Sequence, residues 1–224
     1  HVIDNKNPSS PESIAFIKLE GNYDISIKDD KLYADSYGDL VIFDISDITN
    51  PTVIGSASVG GSVNALHVEN DYAYLTDSYK DSLYVVSISD PNNPVLMGQV
   101  AVGSSPHDVC VSGNYAYVVD GTDNDIKVFD VSDPTNPTLL ISQYIGPKPY
   151  RVKVYNGYII LTDTDDNSLK IINISDPSNP SIENQITVGN FPSALAVYNG
   201  KAYIADVHSD DFRKDVSAQV GAEL

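Results

Sequence analysis

The chain has 224 residues, 42% hydrophobic and 20% charged, with 13 Lys+Arg against 31 Asp+Glu for a formal net charge of −18. That make-up fills a core and is too apolar for a disordered chain, and no apolar run approaches the roughly 18 residues a membrane-spanning helix needs. The negative field repels phosphate backbones and anionic lipid headgroups, which makes nucleic acid and charged membranes poor partners.

The acids comprise 26 Asp and only 5 Glu, beside 14 Gly, 13 Pro and 15 Tyr. Asp favours turns and caps because its short side chain hydrogen-bonds the local backbone, so the balance reads as a turn-rich β protein. A single cysteine, Cys110, excludes an internal disulfide framework. The chain opens at His1 with no signal peptide and reads as a mature, processed or excised piece.

In chain order, His1 to Leu19 reads as a pair of strands carrying the first copy of an Asp-x-x-Asn-Pro motif, Asp4 to Pro8. The motif recurs as Asp47-Ile48-Thr49-Asn50-Pro51, Asp90 to Pro94, Asp133 to Pro137 and Asp176 to Pro180, with leading aspartates 43 residues apart each time. Between copies lie strand pairs around Tyr33, Tyr74, Tyr117, Tyr158 and Tyr203. The clearest module runs from Asp108-Val109-Cys110-Val111 through a Ser112-Gly113-Asn114 turn into Tyr115–Asp120. A polar loop, Gly121 to Asp125, leads to Ile126–Val131; the Asp/Pro turn and Thr138–Ser142 complete four strands. Four antiparallel strands per 40–45 residues is the arithmetic of a β-propeller blade, a unit that must stack on its own copies to bury its faces.

The stretch Tyr117-Val118-Val119-Asp120 followed by Ile126-Lys127-Val128-Phe129-Asp130-Val131-Ser132-Asp133-Pro134 resembles the LVIVD repeat, as do Leu40-Val41-Ile42-Phe43-Asp44 and Leu83-Tyr84-Val85-Val86. The resemblance covers all but the last fifteen or so residues. It implies a β-propeller from bacterial or archaeal secreted and cell-surface proteins with inferred binding roles, and it brings no catalytic motif.

The expected fold is therefore all-β, a propeller of about five four-stranded blades over residues 1–207 with an atypical tail at 208–224. In one closure the N-terminal strand pair completes the blade that the C-terminal pair begins; in the alternative, the chain is a fragment of a propeller with six or more blades.

Aligned hub strands place Ile25, Leu66, Val109, Val152 and Leu195 between blades. The alternating set, Asp24, Ala65, Asp108, Arg151 and Ala194, then Ser26, His67, Cys110, Lys153 and Ala196, is expected to face a central channel. Asp108 and Arg151 fall level on neighbouring blades, where an ion pair is expected. Asp24, His67, Asp108, Arg151 and Lys153 are thus the channel candidates. Acids also gather in the loops after the second strands, which open with Asp35, Asp77, Asp120, Asp163 and Asp206. The sets Asp120, Asp123, Asp125 and Asp163, Asp165, Asn167 have oxygens at calcium-loop spacing, so calcium is the one cofactor suggested. Ser168 and Ile174 stand where an EF-hand needs Gly and Glu, and Asp side chains capping hairpin backbone explain the recurrence as well.

No nucleophile elbow, phosphate loop or dinucleotide fingerprint is present. The sequence reads as a non-catalytic extracellular binding or scaffolding module with a protein or glycan partner on an acidic loop face bearing Tyr37, Tyr79 and Tyr150. The alternatives are a lyase or hydrolase using Asp108, Arg151 and a bound cation, and a structural module of a large surface protein.

Overall fold

A computed structural model describes residues 1–206 apart from 5, 8, 22 and 23; the tail assigned to 208–224 lies outside the described residues. All regular structure in it is β-strand. After a two-stranded sheet of β1 (Val2–Asp4) and β2 (Glu12–Ala15) come four sheets of four antiparallel strands. The first is β3 (Ile25–Lys28), β4 (Lys31–Ser36), β5 (Asp39–Asp44) and β6 (Thr52–Ser58). The second is β7 (Val63–Glu69), β8 (Tyr72–Asp77), β9 (Ser82–Ser87) and β10 (Val95–Ala101). The third is β11 (Pro106–Ser112), β12 (Tyr115–Asp120), β13 (Asp125–Asp130) and β14 (Thr138–Tyr144), and the fourth β15 (Pro149–Tyr155), β16 (Tyr158–Asp163), β17 (Ser168–Asn173) and β18 (Ser181–Thr187). A two-stranded sheet, β19 (Pro192–Tyr198) and β20 (Lys201–Asp206), ends the described chain. The strand content is that of a five-bladed propeller.

Within each sheet the strands follow chain order, so every blade is a meander. The hub strands β3, β7, β11, β15 and β19 pack successively against one another. Both faces of a hub strand are blade-to-blade faces. Leu66 packs toward the first blade with Tyr33, Leu40 and Ile42, whereas Ala65 packs toward the third with Val109, Val111 and Val118. This corrects the expectation that the alternating set lines an open channel: Ala65 and Cys110 are fully buried between blades. Wedge packing consumes both sides of the strand.

A bulge interrupts the start of four hub strands, leaving Asn64, His107, Tyr150 and Ser193 out of the ladder. The extra residue turns the strand and re-aims its side chain, which places His107 and Tyr150 at one end of the hub. The strand-three-to-four turns are Asx turns: Thr49 N–H donates to Asp47 Oδ1 and Asn50 N–H to the Asp47 carbonyl, with matching bonds at Asp90, Asp133 and Asp176. The same bonds at the N-terminus run from Ser9 N–H to Asn7 Oδ1 and from Ser10 N–H to the Asn7 carbonyl. The first turn therefore begins at Asn7, three residues later than the sequence motif at Asp4. Asp4 instead matches Asp44, each accepting an N–H two residues on.

Among the described residues no ladder joins β20 to β1, and the two half-blades stand as separate sheets. The N-terminal hairpin lies beside the first blade, around a cavity of about 480 Å³ lined by Ile3, Phe16, Ile25, Ile27 and Ile48. Ile25 is 53% exposed, whereas its counterparts Leu66, Val109 and Val152 are buried.

Candidate functional site

Hub groups come first. Asp24, just before β3, and Asp108, on β11, occupy equivalent positions and do the same thing. Asp24 accepts the Ile25 N–H on Oδ1 and the Leu66 N–H of the next blade on Oδ2, at 2.9 and 3.0 Å. Asp108 accepts the Val109 N–H on Oδ1 and the Val152 N–H of the next blade on Oδ2, both at 2.9 Å. Each carboxylate is a clamp between consecutive blades. Burial pushes the Asp108 carboxyl up from its ordinary value, against the pull of Lys153, the Val152 N–H and Arg151.

The expected Asp108–Arg151 ion pair is not formed. Arg151 Nη1 donates to the His107 carbonyl at 3.2 Å, and its guanidinium lies 4.6 Å from the centre of the Tyr150 ring. The clamp needs the short Asp108 side chain against backbone, while the longer arginine reaches past it to the bulge residues. Tyr150 is not a free hot spot: it packs 4.8 Å from His107 and 6.2 Å from Phe191, centre to centre. Lys148 sits over Phe191 at 5.8 Å. His67 turns toward the third blade with its Nε2 buried and unpartnered. Burial and the Lys153 ammonium lower its pKa to about 4, so it is neutral at physiological pH. Burial pushes the Cys110 thiol far up, which makes it a poor nucleophile.

The loop acids assemble in a way that spacing alone does not show. Asp120, Asp123 and Asp125 converge, but on Lys127: its Nζ lies 3.6 Å from Asp120 Oδ2, 2.9 Å from Asp123 Oδ2 and 2.7 Å from Asp125 Oδ1. In the next blade Lys170 Nζ lies 2.5 Å from Asp163 Oδ2 and 2.8 Å from Asp166 Oδ2. Asp165 is turned away toward Lys148, at 3.9 Å, and Asn167 Oδ1 accepts the Phe191 N–H. In the first set an ammonium fills the centre that calcium would take, and in the second the three residues do not converge, a correction to the cation reading. Among the described residues no group of three or more His, Cys, Asp or Glu is placed to hold a metal ion. The inward Lys127 and Lys170 are residues that sequence reasoning missed; the available signal was a lysine seven positions after the strand-end aspartate in two successive modules.

Burial opposes the charge on Lys127, yet its hydrogen bonds to Asp125 and Asp123 outweigh that and hold its pKa above the ordinary value. The other oxygen of each strand-end acid caps the loop. Asp77 Oδ1 accepts the Tyr79 and Lys80 N–H groups, Asp120 Oδ1 those of Thr122 and Asp123, and Asp163 Oδ1 those of Asp165 and Asp166. Asp35 departs from this set. The ladder β4–β5 pairs Ser36 with Asp39 and thereby puts Ser36, not Asp35, at the strand end. Asp35 Oδ1 accepts the Asp24 N–H instead, the place Thr162 takes for Arg151. The tyrosines of the two remaining loops point outward: Tyr37 is 71% and Tyr79 82% exposed.

In comparisons with solved structures the chain is similar to a functionally unknown protein from Desulfotomaculum acetoxidans, with a TM-score of 0.76 at 13% identity over 85% of this chain and 64% of that one. It is similar to the periplasmic gluconolactonase of Pseudomonas aeruginosa, with a TM-score of 0.65 at 15% identity over 79% of this chain and 60% of that one. A chain of a nidogen/laminin complex matches with a TM-score of 0.64 at 15% identity, over 89% of this chain and 77% of that one. These likenesses share the fold. The chain spans 64% of the length of the first of them. No curated protein matches the sequence significantly. The LVIVD repeat matches residues 17–59, 60–102, 103–144 and 148–187, the four successive modules that build the complete blades. On those four matches, the chain belongs to the LVIVD-repeat family.

Proposed function

We propose that this propeller is a non-catalytic extracellular binding or scaffolding module that takes a protein or glycan partner on the face formed by its strand-two-to-three loops and inter-blade linkers. The observation that carries the reading is the pair Tyr37 and Tyr79, both largely exposed on loops pinned to the ends of blades. An exposed tyrosine on a rigid loop offers a large amphipathic contact at low entropic cost. Beside Tyr79, Asp77 and Asp81 accept backbone N–H groups, so that loop is preorganised rather than chemically poised. Asp108, the best placed hub acid for chemistry, has both oxygens committed to backbone N–H groups. A propeller of the same fold stands in a complex of nidogen and laminin, which agrees with such a role. The extracellular setting rests on the family resemblance.

The test is capture of partners from an extracellular protein extract and a glycan array by the wild-type chain and by a Tyr37→Ala/Tyr79→Ala variant. A partner retained by the wild type and lost by the variant is the expected result. Retention by the variant of every partner that the wild type holds overturns the placement on this face.

A further inference from the structure

The opposite end of the molecule carries a second feature. The strand-one-to-two and strand-three-to-four turns lie there, and between the third and fourth blades they enclose an open cavity of about 420 Å³. Its walls include Tyr115, Tyr117 and Tyr158, with Ser112, Asn156 and Asn173 around them. Every lining residue is uncharged, in a chain whose formal charge is −18.

The same gap one blade earlier is different. Shifting back by 43 residues turns Ser112 into Glu69 and Asn173 into Asp130, while Tyr115, Tyr117 and Tyr158 correspond to Tyr72, Tyr74 and Tyr115. The aromatic positions repeat and the charges do not. Tyr117 is only 1% exposed and lines the cavity. Asn156, at φ 49° in the turn with Gly157, lines the cavity from the fourth blade. Asn173 is oriented by the Ser175 N–H, which donates to its Oδ1, and by its own Nδ2, which donates to Glu183.

We infer that this cavity is a binding site for a neutral hexose unit of a glycan. A pyranose presents an apolar C–H face that packs on aromatic rings, and a rim of hydroxyls that both donate and accept. Phenol, amide and serine groups answer both roles, whereas a carboxylate only accepts. The volume suits a small ligand. The absence of cationic groups among the lining residues, together with the net negative field, selects against uronates and other acidic sugars. The site is separate from the Tyr37/Tyr79 loop face and stands or falls independently of it.

The experiment uses the chain on an array of neutral oligosaccharides, uronate oligosaccharides and proline-rich peptides, beside a Ser112→Glu/Asn173→Asp variant. That variant carries the side chains of the preceding gap, so the fold tolerates their type at equivalent positions; thermal unfolding verifies it. Neutral glycans bound by the wild type, with affinity at least about tenfold weaker in the equally stable variant, is the expected result. No binding, binding of uronates or peptides alone, or neutral-glycan binding unchanged in the variant overturns the inference. Should the variant unfold, Tyr115→Ala replaces it with the same readout.

Discussion

Lys170 Nζ sits 2.5 Å from Asp163 Oδ2 with the two side chains 2% and 0% exposed, an ion pair sealed inside the fourth blade. Gly146, in the linker before that blade, leaves the room: a Cβ there would overlap both partners. Removing one member of such a pair leaves the other charged, buried and uncompensated, at a cost of about 3–5 kcal/mol. Lys170→Met is therefore expected to lower the unfolding free energy by that amount in a urea titration. Asp163→Asn/Lys170→Met is expected to recover a large part of the loss, since the only acid then left without its ammonium is the partly exposed Asp166. A double variant as unstable as the single one contradicts the pairing.

The Asp108 clamp predicts a graded pair of effects. Asp108→Ala orphans the buried Val152 N–H, an expected loss of about 1–3 kcal/mol. Asp108→Asn keeps one acceptor and loses less. Amide hydrogen exchange at Val152 is the direct check: faster in Asp108→Ala than in Asp108→Asn, and slowest in the wild type.

His67 sets a pH dependence. Its folded pKa of about 4 lies below the unfolded 6.5, so the unfolded chain binds the extra proton first as pH falls. Stability from this group is complete above pH 6.5 and is lost as pH drops toward 4. Between pH 7 and 5 the wild type is expected to lose about 2 kcal/mol more than His67→Gln, the linkage value for one proton over that interval. The turn acids Asp44, Asp47, Asp90, Asp130, Asp133 and Asp176 are held below their ordinary values, by side-chain hydrogen bonds first. Their contribution persists above the unfolded carboxylate range and is lost below it, a separate and more acidic transition. Chemical denaturation across pH resolves the two.

Lys127 makes the cation question testable. Calcium or a chelator is expected to leave the wild-type melting temperature unchanged, because an ammonium already occupies the carboxylate cluster. Lys127→Ala leaves Asp120, Asp123 and Asp125 facing a vacated centre, and this variant alone is expected to gain stability on adding calcium. A calcium response in the wild type refutes the reading.

The blade frame was legible because turns are local chemistry: an Asp that bonds its own backbone leaves a fixed mark every 43 residues. The same locality misled at the N-terminus, where Asp4 mimics the motif and the turn forms at Asn7. Hub geometry was half legible. Alternation identified Asp24 and Asp108, but whether a hub residue meets a channel or a neighbouring blade depends on wedge packing, which no spacing encodes. The acid clusters were found and their centres were not, since Lys127 and Lys170 sit in strands that read as plain apolar alternation. The uncharged cavity was invisible, because it joins Ser112 to Asn173 across two blades.

The hub carboxylates have a longer beat than the sequence motif. Asp24 ties the first blade to the second and Asp108 the third to the fourth, while Ala65 offers no such tie between the second and third. The blades are thus yoked in couples. Parting the second blade from the third breaks side-chain packing and no hub clamp, whereas parting the first from the second, or the third from the fourth, also strips a backbone N–H of its carboxylate acceptor.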